Sequence, residues 1–146
     1  MSLRYKVLSA VYVALLKDNK VVLARRYNTG YQDGNYTLPA GHIDEGETAL
    51  EAGIREVEEE VGVKVSPEHM EFFHVTHRNS IDGKVYIDFY FTAKEWEGEV
   101  QNMEQEKCDD VRWFGLYNLP DNILPDVQMA MVQLKSEIYY SEVGWK

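Results

Sequence analysis

Three glutamates, Glu56, Glu59 and Glu60, stand at i, i+3 and i+4, with Arg55 beside them and Glu47 upstream. On an α-helix that spacing gathers the three carboxylates on one face. Like charges so placed repel by a few tenths of a kcal/mol per pair on an open helix, and a helix built only for solubility would interleave lysine. Grouped carboxylate oxygens suit a hard divalent cation such as magnesium, which takes carboxylates, phosphate oxygens and retained water. The turn before them, Leu38-Pro39-Ala40-Gly41, can offer backbone carbonyls, and Gly41 and Gly46 permit a tight backbone path. On the glutamates alone the competing reading is a solvated acidic face, the common origin of a Glu run.

The elements that must position these residues can be read from periodicity. Residues 48–61 carry Leu50, Ile54, Val57 and Val61 at i, i+4, i+7 and i+11, a helical stripe that ends at Gly62. A helical wheel at about 100° per residue places the three glutamates nearly opposite that stripe. Strands are expected at 5–16 and 21–26, joined by a turn at 17–20, and at 36–38 after a loop at 28–35 that holds Gly30, Asp33 and Gly34. Beyond the helix, 70–78 and 85–93 form a hairpin through Asp82-Gly83, and 111–114 is a further short strand. A last helix is expected over 125–141, with Pro125 at its first position and Val127, Met131, Leu134 and Ile138 as its buried stripe. No repeat, low-complexity segment or linker interrupts residues 1–146. The expectation is one α/β domain of the mixed α+β kind, a mixed sheet flanked by helices.

The bulk properties exclude several classes of function. With 146 residues, 45% hydrophobic and 12% aromatic, the chain can bury a core. Its net charge of −10 disfavours nucleic-acid polymers and anionic membranes as partners. A small phosphorylated ligand stays open, because a metal ion inverts the local sign. No apolar stretch is long enough to span a bilayer, and residues 1–7 lack the layout of a signal peptide. Cys108 is the one cysteine, so no internal disulfide forms and a cytoplasmic setting is expected. Cys108 reads as a small packed residue, not a thiol nucleophile. His42, His74 and His77 have no zinc spacing with it, and the last two read as strand residues.

Residues 41–63, GHIDEGETALEAGIREVEEEVGV, match the Nudix box G-x5-E-x7-R-E-U-x-E-E-x-G-U, with U aliphatic, at every fixed position. A chance match is on the order of 10⁻⁹ per window. The chain resembles the MutT-like branch of the Nudix hydrolases. LPAGH upstream, Trp96-Glu97-Gly98-Glu99 and VRWFGLYNLP downstream extend the resemblance over nearly all of it. The resemblance implies an α/β/α sandwich and hydrolysis, with magnesium or alternatively manganese, of a nucleoside diphosphate linked to another moiety. It implies that Glu56, Glu59 and Glu60 hold the ions, with the carbonyl of Ala40 as a further ligand. Gly41, Glu47, Arg55 and Gly62 would shape the loop–helix–loop. Glu56, Glu59 and Glu104 are the catalytic candidates. The general base is open between Glu56 and Glu104, with Glu106 as the alternative to Glu104. Arg26 would reach substrate from a strand end or stand as a surface charge, and His42 would sit near substrate. Tyr27, Tyr31 and Tyr36 surround the loop, where Tyr31 could stack on a base and at least one of the three packs the loop. Asn122 and Asp126 would read the base edge.

The expected partner is a small nucleotide, with a homodimer left open. The expected reaction converts a (deoxy)nucleoside triphosphate to the monophosphate and pyrophosphate. ADP-ribose or a nucleotide sugar is the alternative substrate; such enzymes often carry an extra N-terminal strand region, for which residues 1–6 are too short. A catalytically silent binding module is disfavoured by the intact motif. An acidic interaction domain would show no magnesium-dependent turnover.

Overall fold

Residues 10–15, Ala-Val-Tyr-Val-Ala-Leu, carry no charge, and an unbroken apolar run of this length fits a strand covered on both faces. In the computed structural model, which describes residues 3–146, this run is the centre of β1 (Leu8–Lys17). Met1 and Ser2, part of the stretches read for a leader and for an extra strand, lie outside the described residues. The other strands are β2 (Lys20–Arg26), β3 (Tyr36–Thr37), β4 (Ala40–His42), β5 (Met70–Asn79), β6 (Val85–Ala93), β7 (Cys108–Gly115) and β8 (Tyr140–Val143). They form a mixed sheet in the order β3-β2-β1-β6-β5-β8, with β4 paired to β1 and β7 to β2.

Two helices cover the sheet, and alternation along β1 assigns the faces. Val11, Val13 and Leu15 pack with Val57 and Val61 of α1 (Ala49–Val61). Ala10, Tyr12 and Ala14 pack with Val127, Ala130 and Met131 of α2 (Pro125–Ser136). The expected sandwich is therefore the observed one. Helix α1 begins with a capping box: the Thr48 hydroxyl accepts from the Glu51 N–H while the Glu51 carboxylate accepts from the Thr48 N–H. It ends at Gly62, whose φ of 77° is the left-handed conformation that glycine adopts without strain. Gly53 lets α1 lie directly on Val11, Val13 and Met70. Among the described residues no helix is long and apolar enough to cross a membrane.

The structure corrects the expected elements at both ends. The first strand begins at Leu8, leaving Tyr5 and Val7 exposed. The last helix stops at Ser136, so Ile138 is half exposed and is not part of its buried stripe. Glu137 turns left-handed at φ 55°, and the chain returns as β8 in parallel with β5. The periodicity that pointed to a longer helix is local, whereas the competing partner is distant. Buried His74 engages the Ile138 carbonyl and the Ser141 hydroxyl, each at 2.8 Å, and so holds β8 on the sheet edge. Strand β4 is too short to leave a sequence signal, yet it decides the site.

Replacing His74 by Ala leaves the Ile138 carbonyl without its buried side-chain partner and the Ser141 hydroxyl with Thr76 alone. A destabilisation of about 1–3 kcal/mol is expected, with faster hydrogen exchange confined to β8 and the facing edge of β5. Unchanged exchange there would show that β8 is held by its ladder alone.

Candidate active site

Arg55 lies half-buried on α1, and its guanidinium meets oxygens from both flanks of the helix. Nε and Nη2 donate to the two oxygens of Glu47 at 2.8 and 2.9 Å, and Nη2 also donates to the His42 carbonyl at 3.1 Å. Nη1 donates to Glu56 at 2.7 Å and reaches Glu59 at 3.4 Å. The fork of Arg55 thus ties the loop before the helix to the carboxylates on it. Glu47 also accepts from the Asp44 N–H at 3.0 Å. The Arg55 hydrogen bond, then that from Asp44, lowers the Glu47 carboxyl from an ordinary 4.5 to about 2.

Glu60 departs from the wheel. Its carboxylate does not lie on a solvated face but turns inward against β4, where Oε2 accepts from the Ala40 N–H at 3.1 Å. Burial, then a hydrogen bond with Glu56 and the charges of Glu56 and Glu104, pushes its carboxyl well above the usual range. Gly41 is needed here for room: a Cβ on it would overlap the Glu56 carboxylate. Gly46 is needed for its backbone, at φ 80°.

Glu104 arrives from the other side. The last carbonyls of α1 lack helical partners, and Glu60 and Val61 accept instead from the N–H groups of Met103 and Gln101, each at 3.0 Å. Asn102 fixes this loop, accepting from the Glu104 N–H at 3.0 Å and donating to the Cys108 carbonyl at 2.7 Å. Capping the helix therefore brings Glu104 towards the helix glutamates. Burial, and the charges of Glu56, Glu106 and Glu59 against the opposing pull of Lys107, raise the Glu104 carboxyl.

These carboxylates line one of two adjoining cavities. A cavity of about 300 Å³ is lined by Glu56, Glu59, Glu60 and Glu104 with Arg26, Lys107 and Cys108 on its wall. A second, also about 300 Å³, is lined by Tyr12, Tyr31, His42, Arg78, Asp82 and Tyr86 among others. The two share Arg26, Thr37, Ala40 and Glu60. Among the described residues no three His, Cys, Asp or Glu side chains converge as a ready-made cation cage. Glu56 is instead clasped by Arg55. The donor set nevertheless fits a hard divalent cation. Its side chains are carboxylates beside backbone, and a cation among them would offset their mutual repulsion.

Among the residues singled out from sequence, Arg26, Tyr31 and His42 line the second cavity. Arg26 donates to the Tyr31 carbonyl at 2.6 Å and lies over the Tyr31 ring, and His42 stacks on Tyr86 at 5.8 Å. Tyr36 is the packing member of its group, buried against Phe114 with its hydroxyl on Asp110. Asn122 is not among the lining residues: its amide donates to the Gly34 carbonyl at 2.8 Å and ties the loop. Asp126 lies behind the lining, 3.6 Å from Arg78. Glu106 is exposed and lines neither cavity. Burial raises the Cys108 thiol, as suits a packed residue. Sequence reasoning missed Asn102, Arg78 and Asp88. A lone Asp in the otherwise apolar run VYIDFYF was the available signal for the last of these.

The sequence matches the NUDIX domain family over residues 6–131. It is 28% identical over 127 residues to an 8-oxo-dGTP diphosphatase of Escherichia coli, covering 86% of this chain and 94% of that one. It is 32% identical over 104 residues to an ADP-ribose pyrophosphatase of Methanocaldococcus jannaschii, covering 71% of this chain but 59% of the relative. A crystal structure of a MutT NUDIX hydrolase from Burkholderia pseudomallei superimposes with a TM-score of 0.81 at 23% identity, over 88% of this chain and 98% of that one.

Two measurements test the architecture. Gly41→Ala should displace the Glu56 carboxylate, and the shift should appear in a crystal structure of the variant; an unmoved Glu56 would refute the close-approach argument. Glu47 has a depressed pKa, so its contribution to stability is present above about 4.5 and is lost as pH falls towards about 2. The Tm gap between the parent and Glu47→Gln should therefore be widest near neutrality and close across that window. A gap independent of pH would show that the Glu47 charge is not what Arg55 uses.

Proposed function

This chain belongs to the Nudix family of hydrolases, and from that premise we propose that it converts a nucleoside triphosphate and water to the nucleoside monophosphate and pyrophosphate, with magnesium as cofactor. Members of the family generally use divalent metal ions. The observation that carries this reading is the junction of the carboxylate cavity with the aromatic cavity at Ala40 and Glu60. A diphosphate among the carboxylates would leave its nucleoside among Tyr31, His42 and Tyr86.

In this reading Glu56, Glu59 and Glu60 hold the cation beside the Ala40 backbone. Magnesium when bound neutralises diphosphate oxygens and makes a neighbouring water more acidic. Glu104 takes the proton of the attacking water. Among the described residues its carboxylate makes no hydrogen bond, whereas Glu56 is already held by Arg55. Arg26, shared by both cavities, steadies the substrate. Turnover is expected in the cytoplasm, where reduced Cys108 and a small nucleotide are compatible. The ADP-ribose reading is favoured by the 32% identical relative.

A panel of ribo- and deoxyribonucleoside triphosphates, ADP-ribose and nucleotide sugars, assayed with magnesium and with EDTA, tests this. Metal-dependent pyrophosphate release is expected. A kcat/KM for ADP-ribose at least tenfold above every triphosphate would transfer the site to the other substrate class. Glu59 is half exposed and only 3.4 Å from Arg55, so Glu59→Gln should leave the metal-free Tm near the parent's. Its stabilisation by magnesium should shrink and its turnover fall by about 10² or more.

A further inference from the structure

Arg78 sits in the second cavity with a hydrogen-bonding capacity that the fold does not use. Its Nε donates to Asp88 Oδ2 at 2.6 Å and its Nη2 to Asp88 Oδ1 at 3.1 Å, while the guanidinium lies 4.2 Å over the Tyr86 ring. Asp88 is 0% exposed, so this is a buried bidentate ion pair, which costs desolvation and is weak as a device for stability. Among the described residues Nη1 makes no hydrogen bond, although Arg78 lines the cavity. The plane of the guanidinium is fixed by Asp88 and its face by Tyr86, so donating to a ligand would require little further ordering.

The surroundings define the ligand group. Asp88 neutralises Arg78, Asp126 is 3.6 Å from its Nε, and Asp82 stands on the rim of the same cavity. Three carboxylates around one cation repel a phosphate. A neutral acceptor is what an unspent N–H in a locally acidic cavity can take. The aromatic walls, Tyr31, His42 and Tyr86, suit the flat end of a nucleotide. A guanidinium matches the two acceptors that a 6-oxopurine presents side by side, whereas 6-aminopurine places an N–H donor at one of those positions.

Resting on the reading of the site as a nucleoside triphosphate pyrophosphohydrolase, we propose that Arg78 selects the base, donating through Nη1 to a ring carbonyl, so that oxo bases are preferred over their amino counterparts. The sharpest pair is ITP against ATP, which differ at purine position 6, with UTP against CTP as the pyrimidine analogue. ITP should exceed ATP in kcat/KM by about tenfold or more, the order of discrimination expected of a well-placed base contact.

Removing Arg78 alone would strand the buried Asp88 charge, so the informative variant is the double Arg78→Met, Asp88→Asn, with Arg78→Lys as a second variant that keeps the charge and loses the fork. In both, the ITP to ATP ratio should fall towards one, through a larger loss on ITP than on ATP. Titration of IMP and AMP by calorimetry gives a readout that needs no turnover, and the parent should bind IMP more tightly. A parent without either preference overturns the proposal, as does a folded variant that keeps the parent ratio. If no triphosphate is hydrolysed while IMP is still preferred over AMP, the pyrophosphohydrolase reading fails and the role of Arg78 stands.

Discussion

The fan of hydrogen bonds from Arg55 is the constraint on which the site depends. Four carboxylates, Asp44, Glu47, Glu56 and Glu59, lie within ion-pair distance of it, at 2.7 to 3.4 Å. Without that cation the helix face would carry only like charges, and the loop before it would lose its tie to the helix through Glu47. Because the guanidinium is planar and its donors are set at fixed angles, satisfying Glu47 on one edge fixes where Glu56 is met on the other. The position of the Glu56 carboxylate is thus set by a residue that lines neither cavity.

Space and backbone chemistry then limit the remaining freedom. Glu56 can lie where it does because Gly41 has no side chain, and Glu60 can turn inward because the Ala40 N–H is presented by β4. The C-terminal end of α1 has carbonyls to satisfy, and the loop that satisfies them carries Glu104. Requirements that belong to folding, namely caps, close approach and buried partners, therefore assemble a cluster of acids that electrostatics alone would disperse. Burial first, and then the neighbouring acids, raise the Glu60 carboxyl, and a divalent cation would offset the repulsion among them.

The two cavities solve opposite electrostatic problems in a chain of net charge −10. One concentrates carboxylates and suits a polyanion only through a cation. The other offsets its buried Arg78 with acids and so presents a donor without a strong field. A molecule with a charged end and a neutral, flat end is complementary to the pair.

The reach of the sequence ended where the partners stopped being local. Helix α1 was legible because its stripe, its Gly62 stop and its charged positions recur within a few residues, and the motif within it carried the family. The covered sheet with a helix on each face was legible from the apolar run of β1 and the periods of the other elements. The inward turn of Glu60 was not, since a helical wheel does not know that β4 offers an N–H to that flank. Nor was β8, which replaces the expected end of the last helix because His74, far along the chain, holds it. Arg78 and Asp88 stand on separate strands and become a pair only through the register of β5 against β6. Asn122 had the right chemistry for reading a base, but the loop carbonyl of Gly34 takes its amide. Composition and spacing determined which chemistry the chain could support. The tertiary structure decided which side chains were left free to perform it, because a buried polar group takes its partner from whatever the fold brings within reach.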